Sequence, residues 1–285
     1  MPIRTDLAME SLSAGRSDAG QLRGVRSTER LRDGFHVTEV EILDDDGAEA
    51  VGKPIGRYVT LDCGRVTPEN FGASANALAD ELRPFLPSDE RAPVLMVGLG
   101  NRAVTPDALG PLAAEHTMIT RHLALAQPDK FGELRPVAAL APGVLGTTGI
   151  ESLELIFGAA ERVKPAAVLA VDALASASVE RLCSTVQISS SGIVPGSGVG
   201  NSRAALDEST LGVPVIAVGV PTVVDAATIA EQLCGSPPSD DRYGAMFVTP
   251  REIDRQVGEM ARLIGTALSV ALHGVDVDTV SAWLA

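Results

Sequence analysis

Val97-Gly-Leu-Gly-Asn-Arg-Ala-Val-Thr-Pro-Asp-Ala-Leu-Gly110 and Val168-Leu-Ala-Val-Asp-Ala-Leu-Ala175 are the two segments from which the architecture of this chain follows. Each begins with an apolar run typical of a buried strand. Each then delivers one aspartate just past the predicted strand end, Asp107 in the first and Asp172 in the second. In an open parallel α/β sheet, ligands and reacting groups collect at the carboxyl ends of the strands. The two aspartates are therefore candidates for an acid/base pair.

Outward from these segments, the chain alternates short apolar runs with helical patterns. The apolar runs are Val94–Val97, Val137–Leu140, Ala166–Val171 and Val213–Val220. The helical patterns fall around residues 107–122, 150–163, 222–233 and 250–272. Strands and helices that alternate at these lengths indicate βαβ units and a parallel sheet covered on both faces. We therefore predict an α/β fold with three layers, α/β/α, around a central, mostly parallel sheet.

The first part of the chain has a different pattern. Residues 1–33 are polar with mixed charges, so we expect an extended or weakly ordered N-terminal arm there. His36–Ile42 alternates with period two, and Gly56–Asp62 has the composition of a second strand. Together they predict an antiparallel β-ribbon at the periphery of the sheet. Because no internal repeat or long linker follows, residues 34–285 are expected to form a single α/β domain.

Composition and charge exclude several classes of partner. The chain has 285 residues, 45% of them hydrophobic, which is enough for one large α/β domain. Its formal net charge of -14 argues against nucleic acids and anionic membranes, whose binding depends on basic residues. No apolar run approaches the ~18 residues needed to span a bilayer, and the N-terminus has no signal-peptide core. Three scattered cysteines favour a reducing compartment, so we expect a cytoplasmic protein.

The motif Gly98-Leu-Gly-Asn-Arg-Ala103 raises a rival interpretation, a dinucleotide-binding module. That fingerprint needs a helix that begins directly at the motif and an acidic residue about 20 positions further on. Pro106 stands inside the expected helix, and Thr120 and Arg121 occupy the place of the acid. Thr105, as a cap before Pro106, instead predicts a helix that begins there. The glycines then serve a tight turn, and nucleotide binding is kept as the alternative.

Two other catalytic classes lack their sequence signatures. The segment Gly196-Ser-Gly198 does not have the spacing of a serine nucleophile elbow. The histidines stand singly, without the spacing of a catalytic zinc site. They are His36, His116, His122 and His273. We therefore expect no metal and no cofactor.

The glycine-rich loop Ser189–Asn201 is the candidate substrate-binding segment. Such loops expose backbone N–H and C=O groups, which suits pairing with an extended peptide or the cradling of an anion. The loop lacks the lysine of a P-loop, so phosphate transfer is not expected. The glycines assigned to the substrate are Gly192, Gly196, Gly198 and Gly200.

Asp107 and Asp172 acquire a chemical role only as a pair. A carboxyl that ends an apolar strand costs desolvation free energy unless it is paired, hydrogen-bonded or near solvent. Two adjacent carboxyls share one proton, because two like charges a few ångströms apart cannot both ionise readily. One can then donate a proton while the other activates water for attack on an amide. The alternative is two unrelated loop carboxylates, with Asp107 serving only a helix dipole.

Motifs spread along nearly the whole chain closely resemble the germination protease family of spore-forming bacteria. They are Arg4-Thr-Asp-Leu-Ala8, Gly56-Arg-Tyr-Val-Thr-Leu61, Val97-Gly-Leu-Gly-Asn101, Val104-Thr-Pro-Asp-Ala-Leu-Gly-Pro111, Ile119-Thr-Arg-His-Leu123, Pro142-Gly-Val144, Thr148-Gly-Ile-Glu151, Gln187-Ile-Ser189, Gly192-Ile-Val-Pro-Gly-Ser-Gly-Val-Gly-Asn201 and Gly219-Val-Pro-Thr-Val-Val-Asp-Ala226.

The resemblance implies an endopeptidase that initiates the degradation of small acid-soluble spore proteins during germination, in the forespore or spore core. It implies an atypical aspartic-type hydrolase that assembles as a homotetramer. Its fold would be phosphorylase/hydrolase-like and similar to that of hydrogenase maturation endopeptidases, whose acidic residues match Asp107 and Asp172. The additional metal-binding histidine of those enzymes has no match here. The competing interpretations are a non-catalytic nucleotide-binding module and a peptidase relative that lacks turnover.

Two stretches depart from the family pattern. The family is made as a zymogen whose N-terminal propeptide is removed by autoprocessing, whereas only Met1-Pro-Ile3 precede the stretch Arg4–Ala8 that resembles a mature start. Either the propeptide is lacking or the usual delay mechanism differs. The stretch between Gln232 and Phe247 is much shorter than the insertion expected there. Substrate specificity or oligomeric state can therefore differ from that of the family.

Overall fold

A computed structural model describes residues 4–15, 22–196, 204–235 and 246–285. Within these ranges the strands β1 to β9 are, in chain order, Val25–Arg32, Phe35–Ile42, Gly56–Asp62, Val94–Gly98, Val137–Leu140, Ala167–Ser176, Thr185–Ser189, Val215–Asp225 and Phe247–Val248. The helices α1 to α12 are Ala8–Gly15, Asp45–Val51, Phe71–Leu82, Leu109–Glu115, Arg121–Ala126, Pro128–Phe131, Leu145–Thr148, Ser152–Val163, Glu208–Leu211, Ala226–Cys234, Ile253–His273 and Val277–Leu284.

The strands form one mixed sheet in the order β1-β2-β3-β7-β8-β6-β4-β5, with β9 added beside β8. Strands β5, β4, β6 and β8 run parallel to one another. The remaining pairs are antiparallel. The predicted ribbon is confirmed as the β2–β3 pair, but it continues the main sheet because β3 pairs with β7, Thr60 opposite Gln187. The α/β fold class is confirmed.

Different helices cover the two faces of the sheet, which gives the three layers. On one face α3, α4 and α11 pack into a large cluster that includes Leu78, Leu109 and Ile264. On the other face α8 packs against β4 and β5, with Ile156 and Leu95 in a second cluster. Strands buried on both faces appear in the sequence as unbroken apolar runs, and β4 is buried at every position.

The predicted N-terminal arm is wrong for two of its segments. Residues 8–15 form α1, and residues 25–32 form β1 at one edge of the sheet. The charges of β1 gave the appearance of a solvated arm, but they face partners on β2: Arg26 pairs with Glu41 and Arg30 pairs with Glu39. The expected boundary at residue 34 falls in the tight turn between these two strands.

None of the helices in the described part of the chain is by itself long and apolar enough to cross a membrane. Helices α11 and α12 satisfy the length and composition only when taken together, across a bend of 114°.

Candidate active site

The segment after β4 leaves the sheet and folds back over its edge. The Leu99 N–H donates to the Val171 carbonyl at 2.8 Å, and the chain then forms a single 3₁₀ turn, Thr105–Asp107, before α4 begins at Leu109. Thr105 does not cap this turn: its hydroxyl donates to Asp254 at 2.8 Å. The predicted helix start at Thr105 is therefore a 3₁₀ turn, and the helix predicted around residues 107–122 is the shorter α4, Leu109–Glu115, followed by α5 from Arg121.

Glycines let this turn lie directly against backbone. A Cβ on Gly110 would overlap the carbonyl oxygens of Leu99 and Val171, and one on Gly100 would overlap the carbonyl oxygen of Asp107. Gly100 also has a φ of +110°, in the region that side chains avoid. The start of α4 is thereby seated on the end of β4 and against the middle of β6. This contact carries Asp107 to the edge of the sheet.

Asp107 is half-buried, and its Oδ2 accepts the backbone N–H of Asn101 at 2.8 Å. The Gly-Leu-Gly-Asn motif therefore holds the Asp107 carboxylate through a backbone hydrogen bond. A dinucleotide site needs a helix that begins at this motif to hold the pyrophosphate, and here α4 begins only at Leu109. The geometry gives no support to the nucleotide-binding alternative.

Asp172 does not lie past a strand end, and that part of the prediction is wrong. Strand β6 continues to Ser176, with Asp172 opposite Gly219 of β8. It is β4 that stops, at Gly98 opposite Val171. Asp172 is thus inside β6 but beyond the end of its β4 neighbour, in the space that the Asp107 turn enters.

Burial and neighbouring charge make the carboxyl of Asp172 an unusually weak acid. The residue is 5% exposed, and its Oδ1 accepts the N–H of Ala173 at 2.9 Å. Burial raises the pKa of Asp172 well above its usual range, the charge of Asp107 raises that pKa further, and Asp6 adds to the effect. The Ala173 hydrogen bond acts in the opposite direction. Asp172 therefore keeps its proton to a higher pH than an ordinary aspartate does.

Both aspartates line one cavity of about 720 Å³ at this edge of the sheet. Gly192 and Gly196 line it as well, each with a positive φ, whereas Gly198 and Gly200 lie outside the described residues. The loop is fixed by mutual backbone hydrogen bonds between Ile193 and Leu206. The structure thus brings the predicted carboxyl pair and the first half of the predicted glycine-rich wall into the same cavity.

Sequence reasoning missed Asp6, a further carboxyl that lines this cavity. Its backbone N–H donates to the Ala175 carbonyl and its Oδ2 accepts the Ala175 N–H, both at 2.9 Å. The side chain of Gln187 holds the same segment, since its Nε2 donates to the Asp6 carbonyl and its Oε1 accepts the N–H of Ala8. The motif Arg4–Ala8 was the available signal, but its polar surroundings suggested an arm rather than a part of the site.

A partly buried lysine also lines the cavity. The Nζ of Lys53 donates to the Thr5 carbonyl at 3.0 Å. Burial lowers the pKa of Lys53, and the charges of Asp6 and Glu10 partly offset this. Lys53 therefore ties the loop after α2 to the N-terminal segment inside the site.

In the ranges that the structure describes, no three histidine, cysteine, aspartate or glutamate side chains converge in an arrangement that could hold a metal ion. The carboxyl of Asp6 accepts the Ala175 N–H and that of Asp207 accepts the Thr210 N–H, so neither joins Asp107 and Asp172 in a ligand set.

Comparison with known proteins identifies the family of this chain. A family model described as germination protease matches residues 4–234. The germination protease of Clostridium tetani is 38% identical over the whole of both chains, and that of Clostridium perfringens is 40% identical over 95% of each. The germination protease of Priestia megaterium is 46% identical over 80% of this chain and 65% of its own. This chain therefore belongs to the germination protease family, and it is a peptidase of spore germination.

Proposed function

We propose that this protein is an atypical aspartic-type endopeptidase that initiates the degradation of small acid-soluble spore proteins, with Asp107 and Asp172 as its catalytic residues. The observation that carries the proposal is the pair itself: two carboxyls in one cavity, one half-buried and one buried with its pKa raised. Paired carboxyls whose environments differ in this way divide the roles of acid and base. The family supplies the reaction, hydrolysis of a peptide bond.

The chemistry follows from the two environments. Asp107, as the base, removes a proton from water while the water oxygen bonds to the carbonyl carbon of the scissile peptide. Asp172, as the acid, gives its proton to the carbonyl oxygen, which forms a neutral tetrahedral intermediate. The proton on Asp107 then passes to the amide nitrogen as the C–N bond breaks. A hydroxyl proton of the intermediate returns to Asp172, so the dyad is restored.

We assign the substrate backbone to the glycine-rich loop. Gly192 and Gly196 have φ of +74° and +75°, so their backbone groups point in directions that ordinary strands do not offer. A Cβ on Gly192 would overlap the carbonyl oxygen of Leu206, so no larger residue fits there without movement. Gly198 and Gly200 complete this assignment from the sequence.

The resemblance also suggests how the enzyme is assembled and controlled. We propose a homotetramer, made as a zymogen, that acts in the cytoplasm of the forespore and spore core. These features rest on the family alone. Sedimentation of the purified chain measures the first of them, and a single species of monomer mass would contradict it.

The dyad is tested by Asp107→Asn and Asp172→Asn, each of which removes a carboxyl with little change of volume. Each variant should lose on the order of 10³ in the rate of cleavage of a purified small acid-soluble spore protein, measured by mass spectrometry of the fragments. Asp129→Asn, at an exposed position in α6, is the matched control and should keep full activity.

Full activity in either dyad variant would remove that residue from the mechanism. If the wild-type chain cleaves no spore protein and instead binds a nucleotide saturably, the non-catalytic alternative replaces the proposal. We expect the wild type to cleave the spore protein, both dyad variants to lose that activity and the Asp129→Asn control to keep it.

A further inference from the structure

The two edges of the sheet are protected very differently. The edge strand β1 carries four charged residues among its eight, Arg26, Glu29, Arg30 and Arg32. The edge strand at the other end, β5, reads Val-Ala-Ala-Leu and carries none. Natural proteins blunt exposed strand edges with charges, bulges or covering segments, because an unprotected edge pairs readily with another chain. An uncharged edge is therefore a candidate for pairing with a partner.

Hydrogen bonds fix which backbone groups of β5 face outward. The N–H of Val94, on β4, donates to the Pro136 carbonyl, so the backbone of Pro136 faces β4. Val137 faces away from β4: its carbonyl accepts the N–H of Thr120 at 3.1 Å, and its N–H donates to the Thr120 hydroxyl at 3.0 Å. Backbone direction alternates along a strand, so the N–H and C=O of Ala139 also face outward.

The edge is covered at Val137 and open at Ala139. Thr120 and the start of α5 occupy the first position. Ala139 is exposed, and neither its N–H nor its C=O has a hydrogen-bond partner anywhere in the described residues. Ala141, the next position of the same parity, is exposed as well.

This open edge leads into the proposed active site. Strand β5 runs parallel to β4, and the chain after it reaches Val144, which lines the cavity of the two aspartates. Apolar side chains are exposed in the segments that follow β5 along the chain, on α7, α8 and the loop that joins them. They are Leu145, Ile150 and Phe157, which are 41%, 42% and 47% exposed.

We infer that the outward edge of β5 at Ala139 binds an extended, apolar segment of the protein substrate by strand addition. The inference rests on the proposed function. The occupant is argued from continuity with the cavity: a chain held at this edge runs past Val144 toward Asp172. Main-chain hydrogen bonds would give affinity for any sequence, and the exposed apolar side chains would select for apolar ones.

The distance between the β5 edge and the two aspartates determines how long a substrate must be to contact both. An added strand would lie three strand spacings from β6, about 14 Å away. An extended chain covers that distance in about four residues. The edge therefore acts on protein substrates, whereas a hexapeptide with three residues on each side of the scissile bond is too short to reach it.

The test uses Ala139→Pro, which removes the outward N–H at a position where an edge strand tolerates proline. Ala139→Val keeps the N–H and is the matched control. For a small acid-soluble spore protein, the proline variant should show a KM raised about tenfold with kcat unchanged, which corresponds to one or two lost hydrogen bonds. Hydrolysis of a hexapeptide cut from the same cleavage site should be equal in both variants and in the wild type.

A second measurement does not depend on how the proline variant folds. Hydrogen exchange is followed in the inactive Asp172→Asn chain with and without the spore protein. The Ala139 amide should exchange more slowly when the spore protein is present, and an unchanged exchange rate overturns the inference.

Equal KM values for the proline and valine variants also overturn it. So does a change of sedimentation in Ala139→Pro, since the edge would then join copies of this chain. Failure of the wild type to cleave either substrate instead contradicts the proposed function.

Discussion

The two aspartates come from similar sequence patterns but stand in opposite kinds of structure. After Gly98 the chain breaks from the sheet, and the turn that follows leaves Asp107 half-buried with the Asn101 N–H as a donor. After Val171 the chain continues as β6, and Asp172 is buried beside β8. An apolar run that ends in an aspartate thus gives one carboxyl that accepts a backbone N–H and one carboxyl whose pKa is raised by burial. We propose that this difference in environment divides the roles of base and acid between them.

The contrast depends on one contact between the two segments. Gly110, in the first turn of α4, lies against the carbonyl oxygens of Leu99 on one side and Val171 on the other. Without a side chain it lets the Asp107 turn rest on β6.

Substitution of Gly110 by alanine should have the largest effect, because it forces the two segments apart. Its Cβ would meet backbone atoms, which cannot rotate away, so the free energy of unfolding should fall by about 3 kcal/mol, the upper part of the range for overpacking. Chemical denaturation followed by circular dichroism measures the change. Cleavage activity should fall with it, since Asp107 moves away from Asp172.

Gly258→Ala is the matched control for this substitution. Gly258 lies in α11, and a Cβ added there would meet only open space, so alanine should stabilise the protein by about 0.5–1 kcal/mol. Equal stability changes for the two variants would mean that the Gly110 contact does not hold the segments together.

Much of the fold could be predicted from the sequence where the apolar pattern was long, or where a strand pattern stood among similar strand patterns. The strand predicted over Val137–Leu140 has the observed bounds, and α11 is predicted to within a few residues from its apolar spacing. The rule for parallel strand ends predicted that Asp107 and Asp172 lie close together, and both line one cavity, although Asp172 lies within β6 and beyond the end of β4 rather than past its own strand end. What the pattern could not show is where β6 stops, because its length is set by pairing with β8 rather than by its own residues.

The N-terminal part of the site was hidden for a related reason. Asp6 and Gln187 are far apart in the chain, and Asp6 contacts both Gln187 and Ala175 only because β7 and β6 lie on either side of β8 in the sheet. The charges of β1 likewise have partners only once β2 lies alongside. Local composition suggests a solvated arm for both segments, since pairing between distant segments leaves no periodic signal.

The raised pKa of Asp172 should appear as a dependence of the free energy of unfolding on pH. The pKa of Asp172 is about 3.9 in the unfolded chain and is raised in the folded one, so the folded state binds more protons between these two values. The contribution of Asp172 to stability is therefore complete below the unfolded pKa and is lost as pH rises toward the folded pKa. We expect Asp172→Asn to gain stability relative to the wild type from pH 5 to pH 8, measured by urea denaturation at each pH. A constant difference over this range would show that Asp172 titrates as it does in the unfolded chain.

The smallest effect concerns the influence of one aspartate on the other. The charge of Asp107 is the second cause of the raised pKa of Asp172, after burial. Asp107→Asn removes that charge and leaves the burial of Asp172 in place, so the pKa of Asp172 should fall but stay above its usual value. Titration of the Asp172 carboxyl carbon by ¹³C NMR in the wild type and the variant measures this shift, with the exposed Asp129→Asn as the control. If the pKa of Asp172 is the same in all three proteins, the carboxyls do not share a proton, and the dyad is reduced to two separate groups that line one cavity.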